Sequence, residues 1–253
     1  GFATWDGPGA SGQVFLETAV ATNELLYAVG DYDFPAGTRS LHFQAVDRNG
    51  EERSDRACSD STADFGAFTD ESGGEAAIID SSGNLLIGGW LTFQGTSRLH
   101  ALLARYEIDQ LGCTLDEDFS SDGFRLFDTQ SYCDTEACVI VGLGEIRPET
   151  GAVSAPRTVA LLRAAVGLSS YDYYLLGLTT SGSLDTAFGS GTSGVRQVTF
   201  SGFGSLRSNV AMTVDVADDV RGHRRILRCR GRRADRAGGR RAAGPPLVAS
   251  QSA

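Results

Sequence analysis

The stretch GSLDTAFGSGTSG, residues 182–194, has a looser copy in GCTLDEDFSSDG, residues 112–123. Both copies contain Leu, Asp, two variable residues and Phe, and both carry Gly before and after this core. A pattern that recurs after several tens of residues is typical of a chain built from structural repeats, in which each copy is one small supersecondary unit. The sequence therefore predicts a repeat architecture.

The repeated Asp belongs to a turn. The Gly ahead of it tolerates a positive φ, and the Asp oxygen can accept backbone N–H groups, as in an Asx-turn. The Leu and Phe of the same turn are suited to filling the space between neighbouring units, so we interpret the pattern as structural and not catalytic. A strand that ends in Gly precedes each turn. The structural positions are Asp55 (with Cys58 in place of Phe), Asp116, Phe119, Asp185, Phe188, Gly30, Gly89 and Gly167.

Between the turns, the chain consists of short apolar stretches separated by Gly, Ser, Asp and Asn. Such stretches, without a sustained helical period, predict β-strands. Residues 158–168 also suit a helix because they are rich in Ala and Leu, but their place in the repeat favours a strand. The predicted strands cover residues 13–21, 24–30, 41–47, 75–80, 84–93, 101–108, 124–127, 138–143, 158–168, 172–178 and 195–200.

Three or four short strands make a sheet too small to bury its own faces. Neighbouring sheets must therefore stack, and radial stacking gives the blades of a propeller. We predict an all-β fold, a β-propeller-like array of small antiparallel sheets that is incomplete, with three to four blades visible. The units are expected at residues 1–66, divergent and N-terminally truncated, at 67–127, and at 128–197 with a longer loop, followed by the start of a fourth at 198–227.

The unit resembles the delta-60 repeat, a bacterial β-propeller repeat. LLGLTTSGSLDTAFG (175–189) is the closest match, followed by LLARYEIDQLGCTLDEDF (102–119) together with DSSGNLLIGGW (80–90). The resemblance covers about residues 1–227 and implies a propeller fold. The departures from the pattern include Gly177, which stands where an Arg matching Arg105 is expected, and the longer loop at 142–157.

Charge is divided unevenly along the chain. Residues 1–220 carry 12 Arg against 31 acidic residues, whereas residues 221–253 carry 10 Arg against Asp235 alone. An acidic body argues against nucleic acid as its partner, because phosphate binding needs a basic face. No apolar run approaches the ~20 residues that span a bilayer. The start GFATWDGPGA lacks a signal-peptide pattern, which suits a mature or truncated piece.

The basic segment 228–253 departs from the repeat. RRIL (224–227) fits the expected strand, after which the pattern gives way to Arg, Ala, Gly and Pro. We expect this tail to be disordered, since it holds few apolar residues to bury. A single-base slip in the reading frame is the favoured hypothesis for its origin, and a basic arm that binds nucleic acid or an anionic surface is the alternative.

Five Cys do not by themselves indicate a disulfide framework. Cys133 and Cys138, in CDTEAC, are spaced closely enough to close a short loop in an oxidising compartment, but spacing leaves open whether they do. A zinc site is not expected, because the Cys lack paired spacing with each other or with His. His42 and His100 occupy similar places in two units, which we interpret as inheritance of the repeat and not as a metal pair.

The sequence contains no pattern that predicts catalysis or a cofactor. Gly142 and Gly144 lack the third Gly and the βαβ context of a dinucleotide site, and neither a nucleophile elbow nor a phosphate-binding loop occurs. The acidic runs at 70–75 and 116–123 could bind Ca²⁺ through oxygen ligands, but they lack the spacing of a dedicated loop. We expect no catalytic residue, no metal and no cofactor.

Aromatic residues in loops are the candidate ligand-binding residues, because an exposed ring can stack on a sugar or a peptide. The candidates are Trp90, Tyr171, Tyr173 and Tyr174, with Trp5 and Tyr132 beside them. We therefore expect a non-enzymatic scaffold or binding module with a glycan or protein ligand. Its acidity and its exclusive use of Arg as the basic residue suggest a secreted or cell-surface protein of a GC-rich bacterium. The alternative is a carbohydrate-active hydrolase or lyase with two carboxylates from different blades.

Overall fold

The apolar stretches form β-strands in the computed structural model, which describes residues 13–34, 38–53, 65, 69–109, 112–127, 133, 137–146, 157–166, 170–188, 193–198, 210–215, 226–231 and 247–249. Within these ranges there is no helix, so the predicted all-β fold is confirmed. The strands are β1 (Gln13–Ala21), β2 (Leu25–Asp33), β3 (Arg39–Asp47), β4 (Thr69–Ile79), β5 (Leu85–Phe93), β6 (His100–Asp109), β7 (Gly112–Leu115), β8 (Phe124–Leu126), β9 (Cys138–Ile146), β10 (Arg157–Ala165), β11 (Tyr171–Leu178), β12 (Val195–Val198), β13 (Val210–Asp215), β14 (Ile226–Gly231) and β15 (Leu247–Ala249).

The strands form four antiparallel sheets, and each sheet is made of strands that follow one another in the chain. The first sheet has the order β1-β2-β3, and the second has the order β4-β5-β6-β7, with β8 also pairing with β6. The third sheet has the order β12-β11-β10-β9, and the fourth has the order β13-β14-β15. Strands that pair with their sequence neighbours need only short turns, which the Gly- and Asp-rich connections supply.

Successive sheets are in contact through their first strands. β4 contacts all three strands of the first sheet, β9 contacts β4, β5 and β6, and β13 contacts β9. The core between the first two sheets includes Val29, Phe43 and Ile87, and the core between the second and third sheets includes Leu103 and Ile140. Because the second and third sheets are covered on both faces, their strands are buried along nearly their whole length instead of alternating.

The strand formed by residues 84–93 shows this arrangement. Leu86 and Ile87 point to opposite faces, as successive residues of a strand must, and they belong to the two different cores. Gly88 lies against the third sheet, since a Cβ on it would stand 2.4 Å from Ile140 Cγ2. A continuous apolar run therefore marks a strand between two packed neighbours.

The boundaries of the sheets differ in detail from the predicted units. The first three sheets fall within the first three units, except that β12 ends at Val198. Residues 158–168 were expected as a strand, and β10 is one. β7 and β13 were not predicted. β15 and residues 228–231 of β14 lie in the basic tail.

The first strand of each of the first three sheets carries a β-bulge at a corresponding place. The unpaired residue is Glu17 in β1, Glu75 in β4 and Val141 in β9. A bulge adds one residue to one strand of a pair, so it bends the strand and redirects the side chains around it. The repeat therefore includes a feature that the residue pattern does not show.

A disulfide joins Cys133 to Cys138, with their Cα atoms 5.7 Å apart. Both residues are buried between the second and third sheets. The N–H of Cys138 donates to the carbonyl of Leu99, and Ala137 forms a bridge with the same leucine. The disulfide therefore fixes the chain where it passes from one sheet to the next, and its geometry favours the bonded state that spacing left open.

Candidate functional site

The Asp of the repeated turn in the second unit is held within the fold. Asp116 is 5 % exposed, and its Oδ1 accepts the N–H of Asp118 at 3.1 Å. Its Oδ2 accepts a hydrogen bond from Nε of Arg105 at 2.5 Å. A charged donor on a buried carboxylate makes a strong hydrogen bond. Both oxygens of Asp116 are therefore engaged by the protein itself.

The third unit repeats this turn with a different arginine. The N–H of Asp185 donates to Gly177 O, as that of Asp116 donates to Arg105 O, so Gly177 occupies the position of Arg105. A Cβ on Gly177 would stand 2.1 Å from Cγ of Phe188, whose ring fills this space. Arg157 reaches Asp185 Oδ2 from the neighbouring strand instead, and Oδ1 of Asp185 accepts the N–H of Ala187 at 2.9 Å.

The turn of the second unit packs against the turn of the third. Gly182 has φ of +77° and a Cβ built on it would stand 2.5 Å from Phe119 Cζ. Arg105 lies over the same ring, 4.7 Å from its centroid, and donates through Nη1 to the carbonyl of Thr180 at 2.5 Å. The Asp116 turn therefore supports the next unit, and this arrangement accounts for the recurrence of Gly, Asp and Phe together.

The repeated Asp are the carboxylates that different units of the repeat would offer to a hydrolase or lyase. Asp116 and Asp185 lie in turns, with their oxygens on backbone N–H groups and guanidinium groups. Asp55 lies outside the described residues. The two Asp that the structure describes therefore form intramolecular contacts of the kind that stabilise a turn, and neither presents a carboxylate oxygen without a partner.

The predicted binding residue Trp90 is buried. It is 8 % exposed, and a Cβ on Gly73 would stand 2.8 Å from atoms of its indole ring, so the ring packs directly on the backbone of β4. Gly73 is the residue paired with Trp90 across the two strands. Trp90 therefore lies in a strand and not in a loop, and it packs within the sheet because its neighbour is a Gly that leaves space for the indole.

The three tyrosines of YDYY do not form one surface. Alternation along β11 places Tyr171 and Tyr173 toward one core and Tyr174 toward the other. Tyr173 is 2 % exposed, whereas Tyr171 and Tyr174 are half-buried. Tyr171 lies under the guanidinium of Arg163 at 5.2 Å, and Tyr174 contacts Asp172. Tyr173 therefore packs in the core, while Tyr171 and Tyr174 keep part of their surface.

The predicted structural glycines Gly30 and Gly89 occupy corresponding positions. A Cβ on either would stand within 2 Å of a carbonyl oxygen of the bulged first strand, that of Phe15 or that of Gly73. By the same pairing, the residue at this position in the third sheet is Leu162, opposite Ile140. Gly167, the predicted structural glycine of the third unit, lies outside the described residues.

Carboxylates gather near the bulges of β1 and β4; Glu75 belongs to the acidic run 70–75, whereas Asp31 and Glu17 were not candidates from the sequence. Burial raises the pKa of Asp31; Arg39 opposes this shift, and Glu17 reinforces it. Burial likewise raises the pKa of Glu75, which Arg163 opposes and Glu17 and Asp31 reinforce. Asp31 and Glu17 belong to the first sheet and Glu75 belongs to the second. Glu17 and Glu75 are the bulged residues of their strands, and a bulge redirects the side chains around it. Raised carboxyl pKa values beside one another are a feature of functional sites as well as of structural clusters.

A small cleft of about 30 Å³ lies between the second and third sheets. Its charged side chains contact the protein, since Arg105 binds Asp116 and Oε1 of Glu145 accepts the N–H of Ser81 at 2.8 Å. The cleft is lined by Asp80, Ser81, Ser82, Leu86, Leu103, Arg105, Phe119, Glu145, Thr158, Leu178, Thr179 and Thr180. We interpret it as part of the seam between two sheets.

Metal binding finds no support in the side chains that the structure describes. No group of three or more His, Cys, Asp or Glu among them is placed to hold an ion. His42 and His100 are buried, and burial lowers the pKa of His42. The two histidines do not occupy equivalent positions in their sheets. His42 pairs with Gly30, whereas His100 pairs with Leu91, two residues from Gly89, which is the equivalent of Gly30.

Comparison with known proteins gives no family. No protein-family model matches the chain, and no curated protein shows detectable similarity to it. Among the described residues, none belongs to a helix that could cross a membrane.

Proposed function

We propose that the chain is a non-enzymatic scaffold or binding module, built from delta-60-like repeats in a propeller-like array. The observation that supports this most is the engagement of Asp116 and Asp185 within their turns. These are carboxylates that the repeat supplies: Asp116 holds Arg105 at the contact between the second and third units, and Asp185 pairs with Arg157 within the third. Contacts between the first strand of each sheet and the preceding sheet fit a radial arrangement.

We place the protein outside the cytoplasm, as a secreted or cell-surface protein of a GC-rich bacterium. Two observations support this. The Cys133–Cys138 disulfide suits an oxidising compartment, because disulfides are rare in reducing ones. The acidic body carries 31 Asp and Glu against 12 Arg in residues 1–220, which favours solubility and disfavours binding to nucleic acid.

The ligand is a glycan or a protein. Tyr171 and Tyr174 keep part of their surface, but they lie on opposite faces of β11 and do not make a shared platform. The carboxylates around Asp31 and Glu75 are the other candidate surface, since they combine charge from two sheets. A binding site between repeats is typical of repeat proteins, whose neighbouring units form a joint surface.

A hydrolase or lyase is the second candidate. The observation that favours it is the raised pKa of both Asp31 and Glu75, because a general acid needs a carboxyl that stays protonated above its usual range. For a glycosidase, the two carboxyl groups must stand about 5 to 10 Å apart on either side of the scissile bond.

One experiment tests both functions. The full chain is applied to an array of glycans, and the bound glycans are recovered and analysed by mass spectrometry. Binding with intact glycans supports the module. Cleaved products that disappear in Asp31→Asn and Glu75→Gln would establish the enzyme. If the array binds no glycan and the chain captures one partner protein at a stoichiometric ratio, the ligand is a protein.

A further inference from the structure

A half-exposed aromatic ring and a buried carboxylate lie side by side on the first sheet. Phe15 of β1 is directly opposite Asp31 of β2, so both side chains are on the same face. Phe15 is 39 % exposed, whereas Asp31 is only 7 % exposed. An aromatic face next to a carboxylate is suited to an organic cation.

Arg39 lies beside both groups but is too far from the carboxylate of Asp31 for a hydrogen bond. Its guanidinium carbon lies 5.7 Å from the centroid of the Phe15 ring. Its Nε lies 3.9 Å from Asp31 Oδ2, which is beyond the length of a hydrogen bond. This oxygen is buried and has no hydrogen-bond partner among the described residues. Arg39 itself has 47 % of its side chain exposed, so it is a loosely held cation over the site.

The surroundings of Asp31 are negative. Glu17, at the bulge of β1, stands two residues from Phe15, and Glu71 lies on β4, which crosses the same face of the sheet. Both reinforce the raised pKa of Asp31, as does Asp33. A carboxylate buried without a hydrogen bond costs free energy. A ligand that supplies a positive N–H group would remove this cost.

We propose that Phe15, Asp31 and Glu17 form a site for the protonated amine of an amino sugar, and that Arg39 covers this site until the ligand displaces it. This inference rests on the proposed binding function and names the ligand class. The ammonium group donates to Asp31 Oδ2 in a charge-assisted hydrogen bond. The apolar face of the sugar ring stacks on Phe15, and Glu17 contributes attraction through its charge.

The test is titration calorimetry of the full chain with two sugars that differ only at the nitrogen. At the mildly acidic pH of the titration, chitobiose carries two protonated amines, whereas N,N′-diacetylchitobiose carries two neutral amides. We expect chitobiose to bind at least about tenfold more tightly, which corresponds to one good charged hydrogen bond. Asp31→Asn is expected to weaken chitobiose by at least about tenfold, and Arg39→Ala to leave it equal or tighter.

Glu107→Gln is the matched control, because it removes one negative charge from an exposed position on β6. It is expected to change the affinity for chitobiose less than about twofold, and thermal unfolding of each variant shows that it is folded. The proposal is overturned by equal affinity for the two sugars, by Asp31→Asn that binds chitobiose like the wild type, or by a lysine-containing peptide that binds at least about tenfold more tightly than chitobiose.

Failure of this proposal is distinguishable from failure of the binding function. If the array yields a glycan without amines whose binding is insensitive to Asp31→Asn, the chain is a binding module and the amino-sugar site is wrong. If neither an array ligand nor a partner protein is found, the binding function fails as well.

Discussion

Arg157 forms with Asp185 the ion pair that Arg105 forms with Asp116, although the two arginines come from different strands of their sheets. Arg105 belongs to β6, which neighbours the turn in the chain, whereas Arg157 begins β10. The exchange is possible because Phe188 occupies the space at Gly177, where an arginine would otherwise stand. Both units therefore have an ion pair between an arginine and the repeated Asp, but the arginine comes from a different strand in each unit.

The first prediction concerns this pair. Arg157→Ala and Asp185→Ala are each expected to lower the free energy of unfolding by about 1 kcal/mol, because both side chains are partly exposed, by 35 % and 17 %. A double-mutant cycle measured by urea unfolding gives the coupling. If the losses of unfolding free energy in the two single variants add up to the loss in the double variant, the ion pair contributes nothing to stability.

The second prediction concerns the stacking of turns. Gly182→Ala is expected to destabilise the protein by about 2 kcal/mol or more, since alanine is strained at φ of +77° and its Cβ would clash with Phe119. Gly50→Ala is the matched control, with φ of +81° and open space around the new Cβ, and it is expected to cost about 1 kcal/mol. Equal losses in the two variants would contradict the stacking contact.

The third prediction concerns the disulfide. Reduction, or replacement of Cys133 and Cys138 by Ser, is expected to lower the free energy of unfolding by about 2 kcal/mol, because the bond closes a short loop. Peptide mapping with alkylation before and after reduction shows whether the two Cys are bonded. Alkylation of both residues in the unreduced protein would refute the pairing.

The fourth prediction concerns pH. Burial raises the pKa of Asp31, so the folded protein binds this proton more tightly than the unfolded chain does. Stability therefore falls as the pH rises from the ordinary aspartate value of 3.8 through the raised one. Asp31→Asn is expected to be more stable than the wild type at pH 7, and to lose this advantage near pH 3. Thermal unfolding between pH 3 and pH 7, with Glu107→Gln as control, measures the difference. The prediction is wrong if the stability of Asp31→Asn relative to that of the wild type is lower at pH 7 than at pH 3.

Much of the fold could be predicted from the sequence because the strands and turns rest on local signals. The apolar run at 84–93 predicts β5, and Gly182 with Asp185 predicts a turn, since both depend on side chains that are near one another in the chain. The stretch at 158–168 was ambiguous by composition, and its place in the repeat identified the strand.

The candidate site was not predictable in the same way. The bulges at Glu17 and Glu75 are visible only in the pairing of strands, and they bring carboxylates of two sheets together. Trp90 resembled an exposed binding residue because its partner across the sheet, Gly73, could not be known from the sequence. Contacts between residues that are distant in the chain decided both cases.

Equilibrium urea unfolding of Asp116→Asn beside the wild type is the most direct test of the structural role of the repeated Asp. Asn keeps an oxygen for the N–H of Asp118 but loses the charge that faces Arg105, and its amide would leave a donor against a donor at a buried position. If Asp116 stabilises the junction between units, the free energy of unfolding is lower in the variant by about 2 kcal/mol. An unchanged free energy of unfolding would contradict the structural role of the repeated Asp.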